Sequence, residues 1–591
     1  EDPHPATGAT TATAVTAVTV ARPRMSALVL PGYALALTLA VTAPLLAPGY
    51  LLLRDAVSTP RSYLPDAAIG LGEAAPRAVP QDFAIAVLST VLDGGLIVKA
   101  LLIAALLLAG WGAGRLAGTV LPEAGLPGQL VAATVAVWNP FVAERLLQGH
   151  WSLLVGYGCL PWVAAAVLRL RAGDTGVAVW AGLVFWIGLA GLTPTGVILA
   201  AVVALVCLAA PGPGVGRGRG VAAVLGTALI AAGPWLAASA LGGALSTPQG
   251  AGLAPFAARA EPFLGTLGSL AGLGGIWNAE ALPPSRTSAF AALGTVVLLG
   301  VVALGAPAVL RRRSAEPLLV LAVVSILVPA ALATGPGLAV LRAAVDLAPG
   351  LAVLRDGQKW VALAMPGYVL AGAGATLMLR RWIRPGLAAL LCCVALLAVL
   401  PDLAWGVGGR VRPVHYPPGW AQVAARINAD PQPVAVLPAE TMRRFSWSGP
   451  APVLDPLPRW LRAEVLATGD LLVAGQTVPG EGARAREVQR LLLTGADPAA
   501  LERAGVGWVV IESGTPGTTG SAAGTVSRLP ATYRDRDLAL YRVGGRSPAA
   551  PPEARAAVIA AHLLWAGMLI GSAGVLAVNG TRRWSAVTAR R

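Results

Sequence analysis

Along this chain, long apolar runs alternate with short polar breaks. The apolar runs cover 26–50, 93–117, 126–141, 151–168, 176–191, 194–210, 220–241, 287–310, 317–335, 360–379, 385–400 and 556–578. A helix rising about 1.5 Å per residue needs roughly 20 apolar residues to cross a hydrocarbon slab of about 30 Å. The runs therefore predict about twelve transmembrane helices, with the third and fifth short and the fifth and sixth nearly fused. Longer polar stretches lie at 51–92, 242–286, 336–359 and 401–555. The last is charged and contains Pro, with strand-like pieces at 434–437 and 508–511 and a helix-like piece at 481–493. The expected architecture is a polytopic α-helical membrane protein with a C-terminal extracytoplasmic α/β or α+β domain. Its parts are a polar tail at 1–25, a membrane region at 26–400, a soluble domain at 401–555, and a last helix with its tail at 556–591. The run at 26–50 reads as an uncleaved signal anchor, too long for a signal-peptide core.

Composition agrees with this division. Of 591 residues, 56% are hydrophobic and 12% charged, with a mean hydropathy of +0.69. A single soluble core could not hide so much apolar surface. The net charge of +15 rests on arginine, since Lys99 and Lys359 are the only lysines. These arginines are scattered through short loops and form no single patch, which excludes a nucleic-acid surface. With the N-terminus cytoplasmic, Arg115, Arg169, Arg171, Arg217, Arg219, Arg311 to Arg313, Arg380, Arg381, Arg384, Arg582 and Arg583 all fall on inner loops or the tail. That is the positive-inside pattern, and it predicts a multi-pass plasma-membrane protein with both termini cytoplasmic and the four long stretches outside. Cys159, Cys207, Cys392 and Cys393 lie inside apolar runs, so neither a disulfide framework nor a zinc site is expected. No phosphate-binding or dinucleotide-binding glycine motif is present, so an activated group must come from elsewhere, and a lipid-linked donor met in the outer leaflet fits that absence.

The outer breaks carry charges that sidedness does not explain: Arg54, Arg61, Arg77, Arg145, Arg259, Arg286, Arg355 and Lys359. Guanidinium groups gathered at a membrane boundary suit a lipid phosphate, because each presents paired donors in a fixed geometry. Ordinary interfacial ion pairs would use the same residues. Asp55 follows the first helix at the membrane surface, where neighbours and partial loss of water can tune a carboxylate as general base for a sugar hydroxyl. A salt bridge to Arg54 or a helix cap is the alternative. Asp66 and Asp82 are alternates in the same loop.

The densest polar segment runs from Trp138 to Trp151. Pro140 stops a helix there, leaving Glu144, Arg145, Gln148 and His150 to line a wet cavity. His150 fits a structural donor equally well. A second such segment is Leu354-Arg355-Asp356-Gly357-Gln358-Lys359-Trp360. A third, from Arg259 and Glu261 through Trp277 and Asn278, reads as a lid or as a plain connection.

The early Asp55, the string Asn139-Pro140-Phe141-x-x-Glu144-Arg145-Leu146-x-x-Gly149-His150-Trp151, the 354–360 segment and the helical layout together resemble the GT-C superfamily of polyprenyl-phosphate-dependent glycosyltransferases. The closest likeness is to the actinobacterial, mycobacterial-type arabinofuranosyltransferases that build arabinogalactan and lipoarabinomannan. The resemblance implies an inverting transfer, outside the membrane, from a decaprenyl-phosphate sugar donor to a cell-envelope glycan acceptor. It implies Asp55 as the catalytic base. Arg145, Arg355 and Lys359, with Arg54 beside the base, would hold the donor phosphate. Glu144, Gln148, His150, Trp151, Asp356, Gln358, Asp66 and Asp82 would contact substrate, and the C-terminal domain would help bind the glycan. Many members carry a second acidic residue beside the first, whereas here one Asp stands next to Arg. No metal ligand is therefore assigned, and a divalent cation is the one candidate cofactor. Arabinofuranose is the preferred sugar and mannose the next. A transporter would place charges at the bilayer midplane, and this chain keeps them at helix ends. A non-catalytic envelope-assembly subunit of the same layout is the remaining alternative.

Overall fold

The computed structural model describes residues 23–242, 252–473 and 475–588. Residues 1–22 of the expected tail, 243–251 of the second long loop, and the side chains of Arg582 and Arg583 lie outside the described residues. All twelve apolar runs contain helix: α1 (Pro23–Thr42), α2 (Gln81–Leu88), α3 (Gly94–Val120), α4 (Gly125–Val137), α5 (Pro140–Gln148), α6 (Trp151–Arg171), α7 (Val177–Ala190), α8 (Pro194–Leu208), α9 (Arg217–Leu241), α10 (Gly265–Ala271), α11 (Phe290–Leu310), α12 (Glu316–Leu332), α13 (Gly335–Leu347), α14 (Met365–Leu379), α15 (Pro385–Ala398) and a last helix, Pro552–Thr588, with α2, α10 and α13 lying in the longer connections.

The expectation of about twelve spans is met in part. Among the described residues, eight helical stretches are long and apolar enough to cross a bilayer, or up to ten if each bent pair counts as one. The 14-residue α7 reaches only about 21 Å. α8 is little longer, with 15 residues. α12 turns by 93° into α13 at Thr334, and α15 turns by 75° into 401–409. Beyond its bend, α13 buries Leu341 and Val345 while Val340 and Leu347 stay exposed, so much of the expected 336–359 loop is helical. The chain is a multi-pass membrane protein.

The centre of the bundle is α3, α4, α6 and α14, with α1, α8, α11 and α15 packed around them. Lipid tails are as apolar as these side chains, so close backbone approach carries helix association. Gly305 on α11 faces Gly374 and the Ala371 carbonyl on α14 so closely that a Cβ there has no room. The periphery is different. Leu225 and Leu229 on α9, Val296 on α11 and Ile570 on the last helix stand exposed, which gives the excess apolar composition a lipid-facing place.

Residues from 413 to 542 build a mixed sheet in the order Ala531–Arg534, Leu538–Arg542, Trp508–Glu512, Val434–Leu437, Val465–Leu466. Ala531–Arg534 pairs antiparallel with Leu538–Arg542, which pairs antiparallel with the central Trp508–Glu512, and the last two strands extend the sheet in parallel. Alternate residues serve opposite faces. Val434, Val510 and Leu540 pack with Trp420 and Ile427 on one side, whereas Ala435, Val509 and Tyr541 pack with Val488 and Leu492 on the other.

A short strand, β1 (Tyr50–Leu53), ties this sheet-bearing region to the helices. It pairs with β2 (Ala56–Val57) and with β3 (Pro413–Val414). Leu51 and Leu53 point into the helical core, while Leu52, with Tyr50, packs among Trp420, Trp460 and Phe445 of the sheet-bearing core. The two-residue connection from β1 to β2 is Arg54-Asp55.

Candidate active site

The β1–β2 turn holds Arg54 at φ 49°, a left-handed conformation that is uncommon for a long side chain. Its neighbours account for it. Arg54 N–H donates to the Pro452 carbonyl at 3.0 Å, and its own carbonyl accepts from Leu454 N–H at 2.9 Å. Its guanidinium donates to the carbonyls of Leu147 (2.7 Å) and Glu280 (2.8 Å). Arg54 thus anchors the turn from inside the protein. Gly149, at φ 83°, closes the other side, where Leu53 and Ala56 come too near for any Cβ. Asp55 N–H donates to the Gln148 carbonyl at 3.2 Å. The carboxylate of Asp55 is therefore presented by a tight, braced hairpin and keeps 37% of its surface exposed.

The string at 139–151 folds as its residue types dictate. Asn139 caps α5 by accepting from Val142 N–H at 3.1 Å, and Pro140 occupies the first helical position, where its missing N–H costs nothing. α5 carries Glu144, Arg145 and Gln148, all buried, and His150 follows before α6 begins at Trp151. Arg145 is fully buried and its two terminal nitrogens are occupied. Nη1 bonds Asp356 Oδ2 at 2.8 Å and His150 Nδ1 at 2.9 Å. Nη2 bonds Asp356 Oδ1 at 3.0 Å and also Gln358 Oε1.

An arginine can only donate, so His150 Nδ1 must accept and Nε2 must carry the ring proton. Nε2 then donates to Asp55 Oδ2 at 2.8 Å. Gln148 Nε2 donates to the same oxygen at 3.2 Å, and its own oxygen accepts from Asn278 Nδ2 at 2.8 Å. Asp55 Oδ1 has no hydrogen bond among the described residues.

The charge states follow. Burial pushes the His150 pKa down, and the Arg145 and Lys359 cations push with it against Asp55, so the ring is neutral at pH 7. Burial works to raise the Asp55 carboxyl, but the hydrogen bond from His150, the Gln148 amide and the Lys359 ammonium outweigh it, leaving its pKa below the usual value. Burial also opposes ionisation of Asp356, and Arg145 with Lys359 overcomes it, holding this carboxyl far below the ordinary range.

Two cations near Asp55 are not spoken for. Lys359 makes only a long 3.8 Å contact with Asp356. The Arg355 guanidinium has no hydrogen bond or ion pair among the described residues, and it lies 4.4 Å over the Phe256 ring. Burial, then Arg77, lowers its pKa to about 10, which leaves it charged at neutral pH.

Several expected contacts are elsewhere. Arg54 and Arg145 do not turn their guanidinium groups toward a ligand, because backbone carbonyls hold one and Asp356, His150 and Gln358 hold the other. Asp66 pairs with Arg555 and the Ala550 N–H, and Asp82 pairs with Arg459 at 3.3 Å, so neither joins Asp55. Trp151 packs into the helical core. Glu144 accepts from Ile276 N–H (3.0 Å), Gly275 N–H (3.3 Å) and Gln358 Nε2 (3.0 Å), which fastens the segment around 275 to α5. Glu261 of that segment is buried against Arg286, so the segment is packed in place. Asn278 and Phe256 join the site as residues whose place only the fold reveals.

No family model matches the chain, and no curated protein matches it. Solved structures do. The fold resembles that of AftD, an arabinofuranosyltransferase from mycobacteria. The match to AftD has a TM-score of 0.53 at 16% identity, covering 89% of this chain and 40% of AftD. A mutant form of AftD gives 0.52 at 17% identity, covering 89% of this chain and 42% of its own. This chain thus spans under half the length of AftD, and at such identity the likeness is one of fold. It is the fold that the polar strings led one to expect.

Proposed function

We propose that this protein is a GT-C-type membrane glycosyltransferase that moves a sugar, arabinofuranose by preference, from a decaprenyl-phosphate donor to a cell-envelope glycan on the outer face of the plasma membrane. One observation carries the reading: three segments far apart in sequence converge so that one carboxylate oxygen of Asp55 is left unengaged beside two unmatched cations. In the reaction, the acceptor hydroxyl attacks the anomeric carbon, the bond from that carbon to the phosphate oxygen breaks, and Asp55 Oδ1 takes the hydroxyl proton. Lys359 and Arg355 stabilise the charge on the departing polyprenyl phosphate. Arg145 is a positioning residue, fixing the His150 tautomer that in turn orients Asp55. Asp356 is engaged by Arg145 and Glu144 by backbone amides, so no second carboxylate of the cluster is free to act as a nucleophile, which favours inversion. The residues do not fit a divalent cation: both oxygens of Asp356 and one of Asp55 are committed, and no step is routed through a metal. The 16% identity to AftD favours the layout and leaves the sugar to experiment.

The test uses the purified full-length chain with decaprenyl-phosphate arabinofuranose or mannose and a synthetic glycan acceptor. Asp55→Asn should keep the hydrogen bonds from His150 and Gln148 yet lower turnover by about 10²- to 10⁴-fold, the usual worth of a general base. Full activity would remove Asp55 from the mechanism, and a wild type silent with every such donor would leave a non-catalytic subunit.

A further inference from the structure

A groove on the first long loop draws on none of the residues around Asp55. It is lined by Arg61, Ser62, Tyr63 and Leu64, by Val87 and Thr90 near the end of α2, and by Arg462 from the sheet-bearing region. Arg61 and Arg462 lie over the same Tyr63 ring, with their guanidinium carbons 4.9 and 5.0 Å from its centre. Arg61 Nη1 donates only to neutral acceptors, the carbonyls of Ser62 and Ala86 and Ser89 Oγ. The Arg462 guanidinium has no hydrogen bond or ion pair among the described residues. Nearby carboxylates are engaged elsewhere, Asp82 with Arg459 and Asp66 with Arg555. Two positive charges therefore line one groove around a single aromatic ring, and neither has an ion pair among the described residues.

The same groove opens onto apolar surface. Val87 and Leu88 are nearly half exposed, Leu92 is more so, and Val91 is 85% exposed. This strip immediately precedes Asp93, which caps the membrane-crossing α3. Cations at one end and an unmatched apolar strip at the bilayer edge make one complementary occupant: a phosphate head with chains running along the strip.

We propose that the groove binds the phosphate of an anionic glycerophospholipid of the surrounding bilayer. Arg61 and Arg462 hold the head, and the lipid chains lie along Val87, Leu88, Val91 and Leu92. Such a lipid would fasten the sheet-bearing region, through Arg462, to the membrane surface beside the first loop.

The test is lipid binding and thermal unfolding of the full-length protein, in neutral detergent with added phosphatidylglycerol, phosphatidylcholine or inorganic phosphate. Phosphatidylglycerol should bind and raise the unfolding midpoint, with phosphatidylcholine and inorganic phosphate having little effect. Arg462→Ala should weaken phosphatidylglycerol binding about tenfold, the loss expected for one charge-assisted contact. Arg462→Lys should restore part of it. Because Arg462 is exposed, these variants should fold like the wild type. Val91→Asp should weaken lipid binding without altering any response to inorganic phosphate. Equal binding of phosphatidylcholine, equal stabilisation by inorganic phosphate, or phosphatidylglycerol binding unchanged in Arg462→Ala would each overturn the proposal.

Discussion

Two buried arginines, Arg145 among the helices and Arg443 in the sheet-bearing region, meet their acidic partners in opposite proportions. Arg145 faces one carboxylate, Asp356, through two bonds of 2.8 and 3.0 Å, and its remaining contacts are neutral. Arg443 faces two, Glu512 through Nε and Asp455 at 3.7 Å, and each of those two carboxyl groups acts on the charge of the other. Asp356 has the Arg145 guanidinium and, at 3.8 Å, the Lys359 ammonium opposite it, and positive charge in excess leaves it ionised. Two carboxylates against one guanidinium leave a surplus negative charge in a site away from water, and retaining a proton removes it. Burial raises Glu512 to about 8, Asp455 adds to the rise, and Arg443 offsets only part. The ratio of charges, more than depth, decides which site is fixed and which titrates.

The comparison breaks most forcefully at Arg145. Arg145→Met leaves buried Asp356 with only the loosely placed Lys359 ammonium opposite it, which should cost about 3 kcal/mol. Asp356→Asn in the same chain removes the stranded charge and should recover much of that loss, though not the His150 tautomer. Thermal unfolding should therefore show a large drop and partial rescue, while turnover stays low in both variants. Rescue of turnover together with stability would show that Arg145 is needed for folding alone and has no hold on His150.

A smaller effect should distinguish the second arginine. A carboxyl whose folded pKa is raised contributes stability in full below its unfolded value, near 4.5, and loses it as pH rises toward about 8. Asp356 runs the other way, with its contribution present above the ordinary aspartate value and lost on acidification. Between pH 5 and 8 the Glu512 term governs, so the unfolding midpoint should fall with rising pH. Glu512→Gln should flatten that slope. A slope of equal size in this variant would mean that the proton sits elsewhere.

How far the sequence reaches depends on range. The strings at 139–151 and 354–360 stood out because proline, glycine and charge interrupt apolar runs, and the structure brings both to Asp55. Which member faces a ligand was not legible. Arg145 looks like a phosphate ligand until Asp356, 211 positions away, occupies it. The strand at Tyr50–Leu53 was hidden for another reason. Its alternate side chains are buried in two different cores, so three leucines in a row show neither a strand nor a helix period. Span number was legible in part, because α7 and α8 are apolar in composition but only 14 and 15 residues long.

The mildest perturbation concerns the two cations that the Arg145 cluster leaves unmatched. Lys359 is only loosely held by Asp356, and Arg355 rests on Phe256, so neither substitution exposes a buried partner in the way Arg145→Met does. Lys359→Ala and Arg355→Ala should therefore fold normally. Each should weaken donor binding about tenfold, as one charge-assisted contact to phosphate is lost. The loss should be equal for arabinofuranosyl and mannosyl donors, because the contact is to phosphate and not to sugar. Equilibrium binding of a decaprenyl-phosphate sugar to each variant measures it. Donor affinity unchanged in both would place the phosphate elsewhere, while a loss confined to one sugar would move that residue from the phosphate to the sugar ring.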